Sequence, residues 1–436
     1  MTNTQYFSID FKRNRFIYVY YLLLHLICLS WTNIGMVQPP MFLRLAITVG
    51  VFLPLIKYFW MAPAVIILFA GLRFNSIAPF GYVPTMWYIY EYLIIFVAVL
   101  HATIYKNPKI FKFTNSQILL FLFLFIVDII NLQPFSKIFG FSLMLFLLYN
   151  AIQDRKALNL ASLSFVILTI TLSLYYFIFA KDFAIAYYGS HTERATWVDP
   201  NYFGIVLGCG IILSTAFLYG AIKMKFNSYY KTIIIACIIL GIIVVVLQAS
   251  RGSLLAIGTA MIIQLLFSRT KLYIKLALIS VTLIGIIYMY QSDYFTLLID
   301  RVQNDEGTGS GRTEIWIRKI NDWSSNLSNI LGGGFQSSIY KFAPLKADCH
   351  NEYVSILLNY GVIGIGILFA SIYKLCRVIK NRAFNLSLIA FICIAFMTLS
   401  PFSCETGWIA CPFLILLLYK YISLNNREAQ KETTNI

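Results

Sequence analysis

Apolar residues fill most of this chain in runs of roughly 17–25 positions, and short polar connections separate the runs. Runs of that length match the hydrocarbon core of a bilayer, where a helix satisfies every backbone polar group within its own segment. The pattern predicts an all-α polytopic integral membrane protein with about fourteen spans. The predicted spans lie near 16–32, 41–56, 58–72, 86–105, 116–133, 138–150, 158–180, 201–222, 232–249, 252–268, 273–291, 351–373, 385–400 and 405–422.

The composition agrees with a membrane bundle over residues 16–422. Of the 436 residues, 59% are hydrophobic and 12% are charged, against about 25% charged in soluble domains. Residues 1–15 form a polar leader without a small-residue cleavage site after it, so we expect the first helix to be retained. Most lysines and arginines fall on one side when the N-terminus is cytoplasmic, which also places a tail, 423–436, in the cytoplasm. The net charge of +16 is therefore interpreted as a topology signal, with no nucleic-acid partner.

Two connections on the predicted exterior side are longer than the others. The first is "AKDFAIAYYGSHTERATWVDPN", and the second is the large loop 291–349 within the bundle. Loops of that length are commonly functional. The middle of the second loop, "RTEIWIRKINDWSSNL", predicts a short amphipathic helix over 313–327 at the membrane surface. "GTGSGR" and "LGGGF" are interpreted as flexible breaks on either side of it.

The exterior carboxylates do not follow a metal-binding pattern. Asp305 and Glu306 are adjacent rather than alternating, and the exterior segments contain no DxD-like pair. The sequence therefore predicts no metal and no other cofactor, and phosphates would need neutralisation by basic side chains. The eight cysteines show no metal-type spacing. Cys349 and Cys404 either pair or fill small apolar positions.

Arginines at exterior helix ends are the candidates for phosphate binding. Arg251 lies in "LQASRGSLLAI", a tight turn between two spans, and an arginine at membrane depth is costly without a partner. A diphosphate would be such a partner, since guanidinium binds phosphate oxygens in a bidentate manner; the alternative is snorkelling to lipid headgroups. Arg312 follows the glycines of "GTGSG", and Arg194 precedes the helix start at 199–201. Arg318 and Lys319 are interpreted as surface charges, and Arg318 alternatively as part of the site.

The stretch "DCHNEYVSILLNYGVIG" places a rare histidine before an apolar helix. Asp348 is the expected N-cap, with Glu352 in the first turn. His350 would then lie in that turn, where the positive helix terminus favours a neutral imidazole able to accept a proton. Helical spacing would put His350 on one face with Val354, Leu357 and Gly361. Gly361 and Gly364 would let another helix pack closely; the alternative is a purely structural histidine.

Four other polar side chains lie within predicted helices. His25 and His101 are expected to make interhelical hydrogen bonds. Glu91 and Asp128 are buried acids, and intramembrane carboxylates are functional by default, as in a proton-coupled transporter. Pairing with a tyrosine or arginine inside the bundle explains them equally well.

Four segments in this order carry a family resemblance: "SRGSLLA", "GSGRTEIW", "ILGGGF" and "HNEYVSILLNYGVIG". Together they resemble the O-antigen polymerase and O-antigen ligase superfamily, whose members are the Wzy-type polymerases and the WaaL-type ligases. His350 and Asn351, followed by Gly361 and Gly364, fit the family pattern His-[Asn/Ser/Gln]-x9-Gly-x-x-[Gly/Thr/Tyr]. "RATWVDPNYFG" is also similar, and the resemblance covers roughly residues 190–370.

The resemblance implies a GT-C-like bundle that acts on undecaprenyl-diphosphate-linked sugars. The active site would face the periplasm from the bacterial inner membrane, with both termini cytoplasmic and 291–349 as a periplasmic loop. His350 would be the general base, while Arg251 and Arg312, and less directly Arg194, would bind the diphosphate. Asn351, Glu352 and Arg318 would support the site. No metal or nucleotide sugar is implied.

The family contains two activities that differ in their acceptor. A polymerase is favoured over a ligase here by the number of predicted spans and by the Ile, Phe, Tyr, Asn and Lys bias of the chain. The expected partners are the lipid-linked donor and acceptor, a chain-length regulator and a flippase of the same pathway. A flippase or transporter using Glu91 and Asp128 is the alternative from another class.

Overall fold

The computed structural model describes residues 11–33, 40–70, 87–133, 135–180, 200–218, 228–248, 250–267, 312–342, 349–378, 383–399 and 410–434. The regular structure of these residues is helical, as predicted. We number their α-helices in chain order: α1 (Phe11–Asn33), α2 (Met41–Phe52), α3 (Ala62–Ala70), α4 (Trp87–Ile104), α5 (Asn115–Ile130), α6 (Phe135–Ala151), α7 (Arg155–Tyr175), α8 (Pro200–Leu218), α9 (Ser228–Leu247), α10 (Arg251–Phe267), α11 (Arg312–Ser324), α12 (Ser337–Tyr340), α13 (Glu352–Val378), α14 (Ala383–Thr398) and α15 (Ala410–Thr434).

The centre of the bundle is formed by α7 and α8. Helix α7 packs against α3, α8 and α9, and α8 also contacts α10. Every α8 side chain from Phe203 to Phe217 is buried. A helix that is apolar all round is expected in such a position, because it has no polar face to turn outward. Helices α10 and α14 form the most extensive pair and close one side of the bundle.

A helix lies at each predicted span except 273–291, which falls outside the described residues. Within the described residues, two helices are long and apolar enough to cross a bilayer, Arg155–Ile178 and Glu352–Arg377. Other apolar helices are shorter, at 10–17 residues. The number of crossings and the GT-C relationship therefore stay predictions. Helix α15 continues to Thr434, so the predicted tail 423–436 begins inside a helix.

The second and third predicted spans form one bent pair. Met41–Ile56 and Phe59–Phe69 meet at an angle of 117°. Contacts with α1 show where each part of the pair lies along that helix. The Tyr20 hydroxyl donates to the Gly50 carbonyl (2.6 Å). The Tyr18 ring packs against Trp60 with 6.3 Å between ring centroids, and the His25 ring packs against Phe69 at 6.2 Å. The chain thus runs toward the start of α1, bends beside Tyr18, and returns.

The histidines within the bundle behave as predicted. His25 Nε2 lies 2.9 Å from Thr171 Oγ1 of α7, and His101 Nδ1 lies 2.8 Å from the Ile56 carbonyl. Both contacts join different helical segments, which confirms the expected interhelical hydrogen bonds.

Helix α13 is broken at Gly361, where the backbone adopts φ 65° and ψ −162°. In a continuous helix, the carbonyls of Leu358 and Asn359 would accept from the N–H groups four residues later. The break removes those donors. Instead, Gly333 N–H donates to the Leu358 carbonyl (2.9 Å) and Gly334 N–H to the Asn359 carbonyl (2.8 Å). The glycine segment therefore completes the backbone pairing of the broken helix.

The two backbones approach so closely that side chains are excluded between them. A Cβ atom on Gly361 would lie 2.0 Å from the Ile330 carbonyl oxygen, and one on Gly332 would lie 2.3 Å from the Asn359 carbonyl oxygen. The prediction of a flexible break at "LGGGF" is therefore wrong, because this segment is docked on α13. Gly361 receives the backbone of the short 3-10 helix Leu327–Leu331 rather than a membrane-spanning helix, and the nearest atoms to Gly364 belong to α13 itself.

Replacing Gly361 with alanine should detach this docked segment. This combination of positive φ and extended ψ is adopted almost only by glycine and costs an alanine roughly 1–3 kcal/mol. The alanine Cβ must also displace the Ile330 carbonyl. We expect a lower melting temperature in detergent and faster proteolysis within 312–342. Gly366→Ala is the matched control in the same helix, because a Cβ there meets nothing within 4 Å. Equal behaviour of the two variants would contradict this account of the break.

Candidate functional site

Residues 312–342 fold into a cap on the first half of α13. The Trp316 indole donates to the Cys349 carbonyl (2.7 Å), and the Asn329 amide donates to the Trp323 carbonyl (3.0 Å). Phe342, Cys349 and Leu358 are buried together, with Trp316, Trp323 and Val354 packed on them. The predicted helix over 313–327 is confirmed as a helix, α11. Its inner face packs on the rest of the cap and on α13.

The two basic residues in the middle of α11 point in different directions. Lys319 is fully buried and its ammonium donates to the Ser338 carbonyl, so the prediction of a surface lysine is wrong. Arg318 is exposed and pairs with Glu314 at 3.5 Å. Helical spacing explains the difference, because Lys319 follows Trp316 by three residues on the inner face, whereas Glu314 and Arg318 are four apart on the outer one.

His350 lies two residues before the first residue of α13. Asn351 caps this helix: its Oδ1 accepts from Val354 N–H (3.2 Å) and its carbonyl from Ser355 N–H (3.0 Å). The predicted cap Asp348 lies outside the described residues, and the prediction that His350 occupies the first turn is wrong. His350 has φ 46°, so it does not share a helical face with residues of α13. Such left-handed backbone is uncommon outside glycine and concentrates at functional sites.

Two further polar side chains of this segment point inward. Glu352, the first residue of α13, is fully buried, and Asn351 is 7% exposed. Tyr353 next to them donates to the Cys393 carbonyl of α14 (3.0 Å) and packs its ring against Phe396. The start of α13 is thus fixed against the end of α14, and His350 lies at that end of the bundle.

The Arg312 guanidinium and the start of α10, next to Arg251, are brought to the same residue of α14. The Arg312 guanidinium donates to the Thr398 carbonyl (3.3 Å). Gly252, which follows Arg251 at the start of α10, lies so close to Thr398 that a Cβ would be 2.7 Å from its side chain. The two arginines are distant in sequence, but both begin helices that meet at the end of α14.

Hydrogen bonds connect the start of α8 to the start of α10, next to Arg251. Ser250 Oγ donates to Asn201 Oδ1 (3.1 Å), and Ser253 Oγ donates to the Asn201 carbonyl (3.1 Å). Helix α8 begins at Pro200, which agrees with the predicted start of this helix. Arg194 and Asp199 lie outside the described residues.

Asp128 has a structural partner that the sequence did not indicate. It is fully buried near the end of α5, and its Oδ1 accepts from Phe335 N–H at 2.7 Å. Asn131 donates to the Gly332 carbonyl (3.2 Å) from the same helix end. Asp128 therefore fastens the glycine segment to α5, while Glu91 is buried against Gly140 in another part of the bundle. The hydrophobic pattern marks Asp128 as unusual but gives no information on this partner.

The described residues show how possible metal ligands and cysteines are arranged. There, no group of three or more His, Cys, Asp and Glu side chains is arranged to hold a metal ion. Asp305 and Glu306 lie outside this part of the chain. Cys349 is buried in the apolar cluster of the cap, with its thiol 3.8 Å from the Ser338 carbonyl. Since Cys404 is not among the described residues, pairing of the two cysteines stays untested.

Residues 236–369 match the family model described as O-antigen ligase. This segment contains Arg251, Arg312, His350 and the break at Gly361. The match confirms the resemblance to the polymerase and ligase superfamily over this part of the chain. It indicates a polymerase or ligase type of function, which is a glycosyltransferase-like activity in lipopolysaccharide synthesis carried by an integral membrane protein. No curated protein matches the chain.

Removing the Asp128 carboxylate should loosen the cap without removing any predicted catalytic group. Asp128→Ala deletes the acceptor of the Phe335 N–H, whereas Asp128→Asn keeps an oxygen at the same position. We expect faster proteolysis of 312–342 and lower activity in the alanine variant, with most of both restored in the asparagine variant. If asparagine is as harmful as alanine, the negative charge itself is required, as in a transporter, and the structural role is wrong.

Proposed function

We propose that this protein polymerises O-antigen repeat units. It would transfer the growing glycan from undecaprenyl diphosphate to a sugar hydroxyl of an incoming undecaprenyl-diphosphate-linked unit, on the periplasmic face of the inner membrane. The observation that carries this proposal is that the Arg312 guanidinium and the start of α10, beside Arg251, both meet Thr398, at the same bundle end as His350. The two arginines and His350 lie within the segment that matches the family.

The arginines would bind the diphosphate of the donor. A guanidinium presents several N–H donors in a plane and suits phosphate oxygens. Arg312 is oriented by the Thr398 carbonyl, which fixes the position of its guanidinium before substrate arrives. As the glycosidic bond breaks, negative charge grows on the diphosphate, and preorganised cations stabilise that charge. This arrangement requires no metal ion.

His350 would act as the general base. The acceptor oxygen attacks the anomeric carbon of the donor sugar, and the carbon–oxygen bond to the diphosphate breaks. Undecaprenyl diphosphate leaves with the bonding electrons, and His350 takes the proton of the attacking hydroxyl. The half-buried position of His350, its left-handed backbone and the capped helix behind it support this role, because they fix the imidazole at the bundle end.

The distribution of charge supports the predicted orientation. Arg155 and Lys156 begin α7, and Lys57 lies in the bend after α2. Helix α7 runs from there toward Tyr176, whose ring contacts Phe203 at the start of α8, on the side of the proposed site. The cations predicted to be cytoplasmic and the residues predicted to be periplasmic therefore lie at opposite ends of α7, as the positive-inside rule requires.

A ligase that transfers the polymer to lipid A-core is the second candidate. It is favoured by the matched family model, which is described as O-antigen ligase. The two enzymes share the donor and the proposed roles of His350 and the arginines. The preference for a polymerase rests on the predicted spans and the residue bias, and a direct assay of the product separates the two.

Lipopolysaccharide banding from a null strain and its complements tests both activities. We expect the null strain to carry core with one repeat unit, and wild type to restore the ladder. His350→Ala and Arg251→Ala should not restore it, although both reach the membrane at wild-type levels. Bare core in the null strain, with polymer retained on the carrier lipid, would identify a ligase instead. A full ladder from well-expressed His350→Ala would remove the proposed base.

The same assay separates the two arginines of α11. Arg312→Ala should lose the ladder, because its guanidinium is the group oriented toward the proposed diphosphate site. Arg318→Ala is the matched control, since Arg318 is exposed and pairs with Glu314 on the outer face of the same helix. A normal ladder from Arg318→Ala would exclude it from the supporting residues; a lost ladder would show that the outer face of the cap contacts substrate.

A further inference from the structure

Cations lie on aromatic rings at the bundle end opposite His350. Three such pairs follow one another: Lys420 over Tyr149 (4.3 Å), Arg155 over Tyr421 (5.2 Å) and Lys156 over Trp60 (5.1 Å). Because Lys420 and Tyr421 are neighbours in the chain, as are Arg155 and Lys156, the pairs form one continuous surface. We refer to these six residues as the basic–aromatic strip.

The strip joins four separate parts of the bundle. Tyr149 lies near the end of α6, Arg155 and Lys156 begin α7, Lys420 and Tyr421 belong to α15, and Trp60 lies in the bend between α2 and α3. The Arg155 guanidinium also donates to Asn425 Oδ1 one turn further along α15. Residues from four chain segments that converge in this way form a built surface rather than a row of independent side chains.

The two lysines of the strip are not paired with acidic side chains of the described residues. Neither Lys156 nor Lys420 forms an ion pair there, and Lys420 is only 5% exposed. The nearby Asp154 is used as the N-cap of α7, where it accepts from Ala157 N–H at 2.8 Å. A buried ammonium without a carboxylate is costly, although an aromatic face offsets part of that cost. An anion from outside the protein would neutralise the remaining positive charge of these lysines.

The position of the strip identifies the class of anion. It lies at the ends of apolar helices, where aromatic rings sit at the level of lipid headgroups and where basic pockets between helices hold anionic headgroups. Snorkelling of single side chains toward water would leave the cations exposed. Here Lys420 is buried, and Arg155 and Lys156 are half-buried against rings.

We propose that the basic–aromatic strip binds the phosphodiester headgroup of an anionic phospholipid. Arg155 and Lys156, which are half-buried, would contact the phosphate oxygens, and the buried Lys420 would add positive charge behind them. Tyr149, Tyr421 and Trp60 would hold the cations and face the lipid at the headgroup boundary. This site is separate from His350 and the arginines of the periplasmic end. It therefore does not depend on the proposed polymerase reaction.

Lipid-dependent thermal unfolding and native mass spectrometry of the purified full-length protein test the proposal. Phosphatidylglycerol should raise the melting temperature and remain bound, whereas zwitterionic phosphatidylcholine should do neither. Each basic residue near an anionic lipid contributes about 1 kcal/mol, so Arg155→Gln/Lys156→Gln should weaken the phosphatidylglycerol effect about 30-fold in lipid concentration. Arg155→Lys/Lys156→Arg, which keeps both charges, should retain most of the effect.

Lys109→Gln/Lys112→Gln is the matched control. It removes the same charge from exposed positions of the connection whose Ile110 carbonyl contacts Asn150, six residues before Lys156. This control should leave the phosphatidylglycerol effect unchanged; an equal loss in both double variants would reduce the effect to net charge and overturn the site. Stabilisation by millimolar inorganic phosphate, with displacement of the lipid, would make free phosphate the ligand and would also contradict the proposal. Should the double variant not fold, Lys156→Gln alone should weaken the lipid effect about fivefold, and no weakening would overturn the site.

Discussion

The architecture of the cap and α13 depends on two backbone hydrogen bonds, from Gly333 and Gly334 to the carbonyls of Leu358 and Asn359. A break in an apolar helix at Gly361 would otherwise leave these carbonyls unpaired, and unpaired backbone groups near lipid are costly. The cap supplies the missing donors, so the break and the cap stabilise each other. Neither is expected to persist without the other.

Further contacts transmit this dependence to the neighbouring elements. Ser338 N–H donates to Asn359 Oδ1 (2.7 Å), and Asp128 holds Phe335 from α5. The cap in turn contacts the residue before His350, through the hydrogen bond of Trp316 to the Cys349 carbonyl. His350 is therefore positioned by a loop segment docked on a broken helix, rather than by regular helical geometry.

The sequence predicted the helices well and the site in part, for physical reasons that differ. Long apolar runs determine helices locally, so α7 and α8 were expected near their observed positions. The placement of Arg251, Arg312 and His350 at one end of the bundle was expected from the predicted topology. The conformations at the site did not, because both Asp348 and Asn351 are good N-cap residues, and the fold of the cap decides between them. Gly361 was recognised as part of a motif, but its partner lies thirty residues earlier in the chain, and no local pattern connects the two.

Lys319 and Asp128 illustrate the same limit for buried charges. From the sequence of α11 alone, Arg318 and Lys319 are equally expected to be exposed. Only the docking of the cap buries one of them, Lys319. A buried carboxylate within an apolar helix suggests transport when it is considered alone, yet Asp128 is used to accept a backbone N–H. In a membrane protein, the first explanation to test for such a group is therefore an unpaired backbone donor near its helix end. Ion conduction needs several polar groups along one path, whereas Asp128 and Glu91 contact different parts of this bundle.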